Sequence, residues 1–321
     1  MNTKEILVEV VNKKILAEGI AQYDLMPVER NSLPMCSAGA HIDVYLPNGI
    51  IRQYSLCEIR PEADKYVIAV LLDPKSRGGS RWMHEELSIG AQLRISEPKN
   101  LFPLNMNAKK FIFLAGGIGI TPILAMAYAV ESIGGVFELH YCARSKKKMA
   151  FHDRIAQSAF KGKAHFYWDD EKNTRALQLN ELLSHPSPDV HLYVCGPKGF
   201  IDAAVLAAAE MKWSKKNVHF EHFSNAAVNS ENGGVFSVRL ASSGKCISVG
   251  SKETIAAALR REGVTVPLSC EQGVCGTCLI PVISGVPDHR DLYLSDNEKA
   301  RNDKITVCCS RSLSAELVLD L

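Results

Sequence analysis

Four cysteines near the carboxyl end of the chain have a spacing that suits an iron–sulfur cluster. Cys270, Cys275 and Cys278 form a C-x4-C-x2-C triplet, and Cys308 follows after 29 intervening residues. This is the plant-type [2Fe–2S] spacing, in which each of the two irons takes two protein thiolates. Two glycines within the triplet suit a loop that bends sharply and approaches the inorganic sulfurs closely.

A four-cysteine zinc site is the alternative for this set. Zinc modules usually pair their ligands as two short-spaced knuckles rather than as one triplet with a distant partner, which favours the cluster. Cys308 and Cys309 are adjacent, so spacing alone leaves the fourth ligand open between them. Four other cysteines have no partner pattern and are interpreted as small buried hydrophobes, namely Cys36, Cys57, Cys142 and Cys246.

A glycine-rich turn in the middle of the chain has the features of a phosphate site. The apolar stretch 111–115 is followed by the turn Gly116-Gly117-Ile118-Gly119 and then by Thr121 and Pro122. This predicts a strand, a turn and a helix that Thr121 caps and Pro122 begins. Such a turn directs backbone N–H groups and a helix dipole at an anion. It is not the G-x-G-x-x-G fingerprint, so close packing alone is the alternative.

Three further segments add possible ligand contacts. Tyr193-Val194-Cys195-Gly196-Pro197 ends a later strand, which would place this turn at the same carboxyl edge where open sheets bind ligands. Arg52-Gln53-Tyr54-Ser55-Leu56 offers a cation, an aromatic face and a hydroxyl, and Arg77-Gly78-Gly79-Ser80 offers a second anion-binding loop. Either of the last two alone is more often an ordinary strand or turn.

The elements that must position these residues fall into three predicted domains. Short alternating stretches broken by Gly, Pro and Asn over 1–103 predict an antiparallel β-barrel. Over 104–225, apolar strands alternate with helical stretches such as 122–132 and 200–211, which predicts a parallel, doubly wound α/β sheet.

A polar stretch, 226–234, is predicted to be a linker, and 235–321 forms a small α+β domain that holds the cysteines. In this last domain we expect a hairpin of 235–240 with 245–249, a helix over 254–261 capped by Ser251, and a final strand over 316–319. His289 and Asp291 are expected in a solvated turn there, with contact to a partner as the alternative.

Composition narrows the function classes. With 37 basic and 35 acidic residues, the chain has no charge excess that would favour nucleic acid. Residues 1–14 lack the apolar core of a signal peptide, so we expect a cytoplasmic protein whose cysteines stay reduced. The nearly apolar segment 111–130 has the length of a membrane span, but its glycines and Pro122 favour a buried strand, turn and helix instead.

The chain contains six motifs in a fixed order: R-x-Y-S-L at 52–56, G-G-S at 78–80, G-G-I-G-I-T-P at 116–122, Y-V-C-G-P at 193–197, F-E-H-F at 220–223 and the terminal cysteines. The motifs and their order resemble those of the phthalate dioxygenase reductase family. The resemblance implies a six-stranded FMN barrel, a nicotinamide domain of the ferredoxin-reductase type and a β-grasp plant-type ferredoxin domain. The short R-x-Y-S-L with a downstream G-G-S is similar to the FMN branch of the superfamily, and FAD is the alternative.

The resemblance also implies a role for each candidate residue. The expected flavin-binding residues are Arg52, Tyr54, Ser55, Leu56, Gly78, Gly79 and Ser80, with Arg52 and Ser80 at the phosphate. The expected nucleotide-binding residues are Gly116, Gly117, Gly119, Thr121, Arg144, Ser145, Cys195, Gly196 and Pro197. Ser55, Thr121, Cys195 and Phe223 are the expected catalytic residues, with Phe223 shielding the flavin face. Cys308 is the expected fourth cluster ligand, with Cys309 as a departure from the family's apolar residue.

The implied function is that of an oxygenase reductase: a monomer passing electrons from NADH through FMN and a [2Fe–2S] cluster to a terminal oxygenase, with no membrane partner. The sequence leaves the oxygenase's substrate open among aromatic acids, methoxyarenes and quaternary amines. Arg144-Ser145-Lys146 stands where an acidic residue would accept a ribose hydroxyl, so NADPH is the alternative nucleotide. A stand-alone reductase of a soluble acceptor and a redox sensor with a vestigial nucleotide site are the competing functions.

Overall fold

The computed structural model describes residues 5–29, 32–47, 49–59, 64–170, 176–223 and 233–321. The chain divides into two compact units, Met1–Glu221 and His222–Leu321. The first unit contains both the barrel and the parallel sheet, and the second contains the four-cysteine set. The predicted domain limits at 103/104 and 225/226 stay predictions, and of the predicted linker only Gly233 and Gly234 fall within the described residues.

An antiparallel six-stranded sheet forms the first part of the first unit, as predicted. Its order is β4-β3-β6-β1-β2-β5, and a bridge between Leu56 and Ile68 joins the two end strands into a barrel. Inward-facing residues such as Val10, Tyr23 and Ile42 fill its interior. The strands are β1 (Glu5–Ala17), β2 (Ile20–Pro27), β3 (His41–Tyr45), β4 (Ile51–Ser55), β5 (Tyr66–Leu71) and β6 (Gln92–Ser96), and the helix α1 (Gly79–Glu85) lies between β5 and β6.

A parallel five-stranded sheet forms the rest of the first unit, again as predicted. Its order is β11-β10-β7-β8-β9, with one apolar cluster around α2 on one face and a second around α5 on the other. The strands are β7 (Lys110–Gly116), β8 (Val136–Ala143), β9 (Ala164–Trp168), β10 (Val190–Gly196) and β11 (Val218–His222). The helices are α2 (Ile120–Ser132), α3 (His152–Ala156), α4 (Leu179–Leu182) and α5 (Lys198–Glu210).

The nearly apolar segment 111–130 is the predicted strand, turn and helix, since it consists of β7, a short 3₁₀ turn and most of α2. The predicted helix start was wrong. The 3₁₀ turn Gly117–Gly119 runs directly into α2, so that Gly119 is the N-cap and Thr121 lies inside the first turn. Pro122 is tolerated there because the first four N–H groups of a helix have no intrahelical acceptor. Within the described residues, no helix has the length and apolar character needed to cross a membrane.

The second unit is a mixed sheet with one packed helix, in keeping with the predicted α+β domain. Its order is β13-β12-β18-β14-β16, and β12 and β18 are parallel. Thr254, not Ser251, caps α6, because its side chain accepts from the Ala257 N–H. The elements are β12 (Phe236–Leu240), β13 (Cys246–Val249), α6 (Ile255–Arg261), β14 (Leu279–Ser284), β15 (Pro287–Asp288), α7 (Asp296–Arg301), β16 (Lys304–Thr306), β17 (Arg311–Ser312) and β18 (Glu316–Leu319).

Candidate functional site

The four predicted cluster ligands converge in the second unit. All four are buried, and the Cys270 thiol interacts with those of Cys275 and Cys308, while the Cys308 thiol also reaches Cys278. Nearby donors face the sulfurs: the Gln272 N–H lies 3.3 Å from the Cys270 Sγ. Four gathered thiols with N–H donors fit a [2Fe–2S] cluster, because such donors stabilise the thiolates and adjust the cluster potential.

Glycines let the cysteine loop close on itself. Gly273 and Gly276 have φ of 69° and 71°, a left-handed conformation that residues with a Cβ rarely adopt. A Cβ at Gly273 would collide with the Cys309 Sγ, and a Cβ at Gly276 would collide with the ring of Tyr293. Both glycines are therefore required by conformation and by space.

The structure distinguishes the two adjacent cysteines. The Cys308 thiol interacts with those of Cys270 and Cys278, whereas the Cys309 thiol interacts with that of Cys308, and its Sγ lies 3.3 Å from the Thr306 Oγ1 and 3.8 Å from the Ser310 Oγ. Cys309 is buried in this hydrogen-bonded corner beside the loop. The arrangement supports Cys308 as the ligand.

The expected solvated turn at His289 and Asp291 was wrong. The side chain of Asp291 is fully buried and that of His289 is 7% exposed, with 3.7 Å between Nδ1 and Oδ1. Asp291 accepts the Leu294 N–H at 2.7 Å, and the Leu292 N–H donates to the Gly273 carbonyl. The carboxylate thus organises a segment that packs on the cysteine loop, a role that no sequence pattern indicated.

The predicted flavin phosphate site is assembled from two distant segments. The Arg52 side chain, on β4, lies against the backbone of the glycine loop, since a Cβ on Gly79 would stand 2.7 Å from the Arg52 Cγ. Gly78 has a φ of 97° and caps α1, and the Ser80 Oγ donates to the Ser76 Oγ at 3.0 Å. A guanidinium beside a glycine loop is a cradle that fits a phosphate.

The remaining predicted flavin contacts are the last two residues of β4, Tyr54 and Ser55, and Leu56, which directly follows the strand. Burial raises the pKa of the Tyr54 phenol, and Ser55 and Leu56 are buried as well. The register pairs Tyr54 with Ile42 and Ser55 with His41 on β3. Leu56 is part of the apolar interior of the barrel and Tyr54 packs against it, and their contact with a flavin stays a prediction.

The two glycine turns predicted to receive the nucleotide meet at one edge of the parallel sheet. A Cβ on Gly119 would collide with the backbone of Cys195 and Gly196. A Cβ on Gly116 would stand 2.9 Å from Pro197, and Gly117 has a φ of 55°. This contact exists because β7 and β10 are adjacent and parallel, with Ala115 beside Cys195. The backbone-lined edge fits a dinucleotide.

Glu221 lies in the F-E-H-F motif at 220–223, but the sequence analysis assigns it no role. Glu221 lies at the end of β11, and burial raises its carboxyl pKa from the ordinary 4.5 to about 8. Its Oε2 has no hydrogen-bond partner among the described residues. Burial, with Glu221 nearby, also raises the pKa of the Cys195 thiol well above its usual range. Both shifts disfavour a buried negative charge beside this glycine turn.

Four predicted residues lie apart from these clusters or contribute differently. Thr121 is buried, and its Oγ1 donates to the Ile118 carbonyl at 3.0 Å, which braces the turn. Arg144 is exposed and Ser145 half-buried, directly after β8. Phe223 follows β11, is 37% exposed and belongs to the second unit, so its placement over a flavin stays a prediction.

Two family models match the chain at these places. An oxidoreductase NAD-binding domain matches residues 113–205, and a 2Fe-2S iron-sulfur cluster binding domain matches residues 238–313. The first match covers both glycine turns, and the second covers all four gathered cysteines. The chain therefore combines a nicotinamide-binding domain with an iron–sulfur domain.

Full-length relatives share this combination. The vanillate O-demethylase oxidoreductase of Pseudomonas putida is 46% identical over 97% of this chain and 98% of its own. A tetrachlorobenzoquinone reductase of Sphingobium chlorophenolicum is 42% identical over 95% of each chain. A solved phthalate dioxygenase reductase, described as a modular structure for electron transfer from pyridine nucleotides to [2Fe–2S], is 37% identical, covers 99% of this chain and 98% of its own, and has a TM-score of 0.81.

Proposed function

The chain belongs to the phthalate dioxygenase reductase family, and from this premise we propose that it is the reductase component of a multi-component, Rieske-type oxygenase. It takes electrons from NADH and delivers them through FMN and a [2Fe–2S] cluster to the terminal oxygenase. The observation that carries the proposal is the presence in one chain of a phosphate cradle, a nicotinamide edge and a four-thiolate loop. The chemistry supplied by bound FMN is the conversion of a two-electron hydride donor into a source of single electrons.

The chain's own residues orient the reactants. Arg52, Ser80 and the backbone of Gly78 and Gly79 hold the flavin phosphate, while Tyr54, Ser55 and Leu56 line the isoalloxazine. Their fit rests on the contact of Arg52 with the glycine loop.

At the nicotinamide edge, Gly116, Gly117 and Gly119 leave room for the dinucleotide, and Thr121 braces the turn between the cofactors. Cys195, followed by Gly196 and Pro197, borders the nicotinamide as a neutral thiol. Phe223 shields the flavin face until nicotinamide displaces it.

NADH is the proposed nucleotide, as in the family, with Arg144 and Ser145 at the ribose end of the site. Their place directly after β8 suits this role, because nucleotide riboses lie beyond the carboxyl end of the second strand of such sheets. The absence of an acidic residue there makes NADPH the alternative that a titration must separate.

The partner is a terminal oxygenase, which binds the organic substrate that this chain does not. Electron-transfer encounters usually bury a small interface, so a monomeric, cytoplasmic reductase that docks transiently is sufficient. The solvent-facing rim of the cysteine loop is the proposed docking point.

An anaerobic titration of the purified protein with NADH and then NADPH tests the proposal. Flavin absorbance should bleach, and the spin signal of a reduced [2Fe–2S] cluster should follow, at lower concentrations of NADH than of NADPH. Bleaching without the spin signal would contradict the relay, and no bleaching with either nucleotide would contradict the reductase function.

A stand-alone reductase of a soluble acceptor is the second candidate, favoured by the relative named as a tetrachlorobenzoquinone reductase. The measurement that separates the two is turnover of a soluble quinone by the purified protein with no oxygenase present. A rate that matches the rate of flavin reduction by NADH would favour the stand-alone function.

A further inference from the structure

Two histidines and a glutamate gather on the parallel sheet and have no part in the proposed electron route. Glu138 and His140 are two residues apart on β8, so their side chains project from one face. The parallel register places His165 of β9 beside His140. One ligand atom from each of the three lies within 4.8 Å of the other two. We propose that Glu138, His140 and His165 form a zinc-binding site on this face of the nicotinamide domain.

His140 provides the strongest evidence for a metal ligand, because one of its ring nitrogens is buried without a hydrogen bond. It is 5% exposed, and its Nδ1 is 3.0 Å from the Tyr167 hydroxyl, which fixes the ring. Its Nε2 is buried and makes no hydrogen bond among the described residues, and the Glu138 Oε2 faces it at 3.6 Å, within ion-pair distance if the imidazole is protonated. A buried nitrogen without a hydrogen bond costs free energy that coordination to a metal would recover. Tyr167 then acts as the outer partner that orients a ligating imidazole.

The donor set matches zinc. Imidazole nitrogens and a carboxylate oxygen are ordinary zinc ligands, and two histidines with one glutamate leave a fourth, open position for water. The Glu138 Oε1 is 2.7 Å from the Lys110 Nζ, whereas Oε2 faces His140, so the carboxylate offers the metal the oxygen that Lys110 does not hold.

His165 completes the site when its ring leaves the stack with His140. Its ring stacks on that of His140 with 4.9 Å between centroids and 20° between planes, and stacked rings cannot both direct a lone pair at one ion. His165 is exposed, so its ring is able to turn out of the stack. Zinc would thereby tie the end strand β9 to β8, independently of the proposed electron transfer.

Calorimetric titration of the chelator-treated protein, with flavin and cluster retained, by zinc chloride tests the site. We expect one saturable site, with a dissociation constant raised by more than about tenfold in His165→Asn and in Glu138→Gln, and by roughly tenfold in the positioning variant Tyr167→Phe. Matched controls are His185→Asn, an exposed histidine elsewhere, and Cys142→Ser, a thiol further along the same face of β8. Both controls should bind zinc as the parent does.

Folding of each variant is checked by its visible flavin and cluster spectrum, which does not depend on this site. The absence of saturable zinc binding in the parent protein would overturn the proposal. So would binding that either ligand substitution leaves unchanged, or binding that Cys142→Ser abolishes. An unchanged dissociation constant in Tyr167→Phe would overturn the positioning role of the tyrosine.

Discussion

Replacing Glu221 by Gln should stabilise the first unit of the protein at neutral pH and have little effect at acid pH. The fold raises the carboxyl pKa of Glu221 from 4.5 to about 8 because the carboxylate of this half-buried residue is withdrawn from solvent. A neutral amide has nearly the shape and polarity of the protonated carboxyl, so the substitution removes the titration and leaves the packing.

The magnitude follows from proton linkage. Below pH 4.5 both the folded and the unfolded chain hold the proton, and the free energy of unfolding is unaffected. Between pH 4.5 and 8 the unfolded chain has released it and the folded chain has kept it, so each pH unit lowers the free energy of unfolding by about 1.4 kcal/mol. Glu221→Gln should therefore be more stable than the parent by about 1 kcal/mol at pH 5 and about 3 kcal/mol at pH 7.

Tryptophan fluorescence during thermal unfolding is a suitable assay, because all three tryptophans, Trp82, Trp168 and Trp213, lie in the first unit. For a unit of this size, the difference at pH 7 corresponds to a rise in Tm of roughly 6 to 12 °C. Glu210→Gln, an exposed glutamate at the end of α5, is the matched control and should leave Tm unchanged. A Tm difference for Glu221→Gln that stays constant from pH 5 to pH 8 would refute the reasoning, because a buried titrating carboxyl requires a slope.

Three other substitutions examine the cofactor sites. Cys308→Ser should abolish the [2Fe–2S] absorbance while Cys309→Ser keeps it, and the reverse result would exchange the ligand assignment. Arg52→Met should weaken FMN binding by about 10- to 100-fold, because the substitution removes a charge-assisted hydrogen bond to the phosphate. Flavin fluorescence measures the affinity, and Arg94→Met, at an exposed arginine of the same barrel, is the control. Equal affinities in the two variants would contradict the phosphate role. Gly119→Ala should destabilise the nucleotide edge by about 1–3 kcal/mol, because its Cβ would collide with the backbone of Cys195, and should slow flavin reduction by NADH without loss of FMN. Gly162→Ala is the control and should behave as the parent, since no heavy atom lies within 4 Å of an added Cβ there. A normal rate in Gly119→Ala would contradict the turn contact.

The cysteine loop and the parallel sheet could be predicted from the sequence alone. The spacing of Cys270, Cys275 and Cys278 requires one tight loop, because thiolates so close in sequence reach one small cluster only from a sharply bent backbone. The alternation of strands and helices after residue 110 likewise determines a parallel sheet, and with it the edge at which both glycine turns lie. These inferences succeeded because they depend on local spacing and on period.

Features that depend on contacts between distant segments became apparent only in the folded chain. Cys308 and Cys309 are adjacent in sequence, and only the folded chain shows that the Cys308 thiol interacts with those of Cys270 and Cys278 while the Cys309 Sγ lies beside the Thr306 hydroxyl. The burial of Asp291 and of the Glu221 carboxylate oxygen could not be predicted either, since acidic side chains are mostly exposed unless other segments cover them. The helix start at Ile120 was missed for a local reason, because a 3₁₀ turn that continues into a helix removes the need for the cap that Thr121 would supply. The spacing of residues along the chain indicates which chemistry is possible. Packing between distant segments determines which side-chain atoms are charged, buried and close to the cofactor sites.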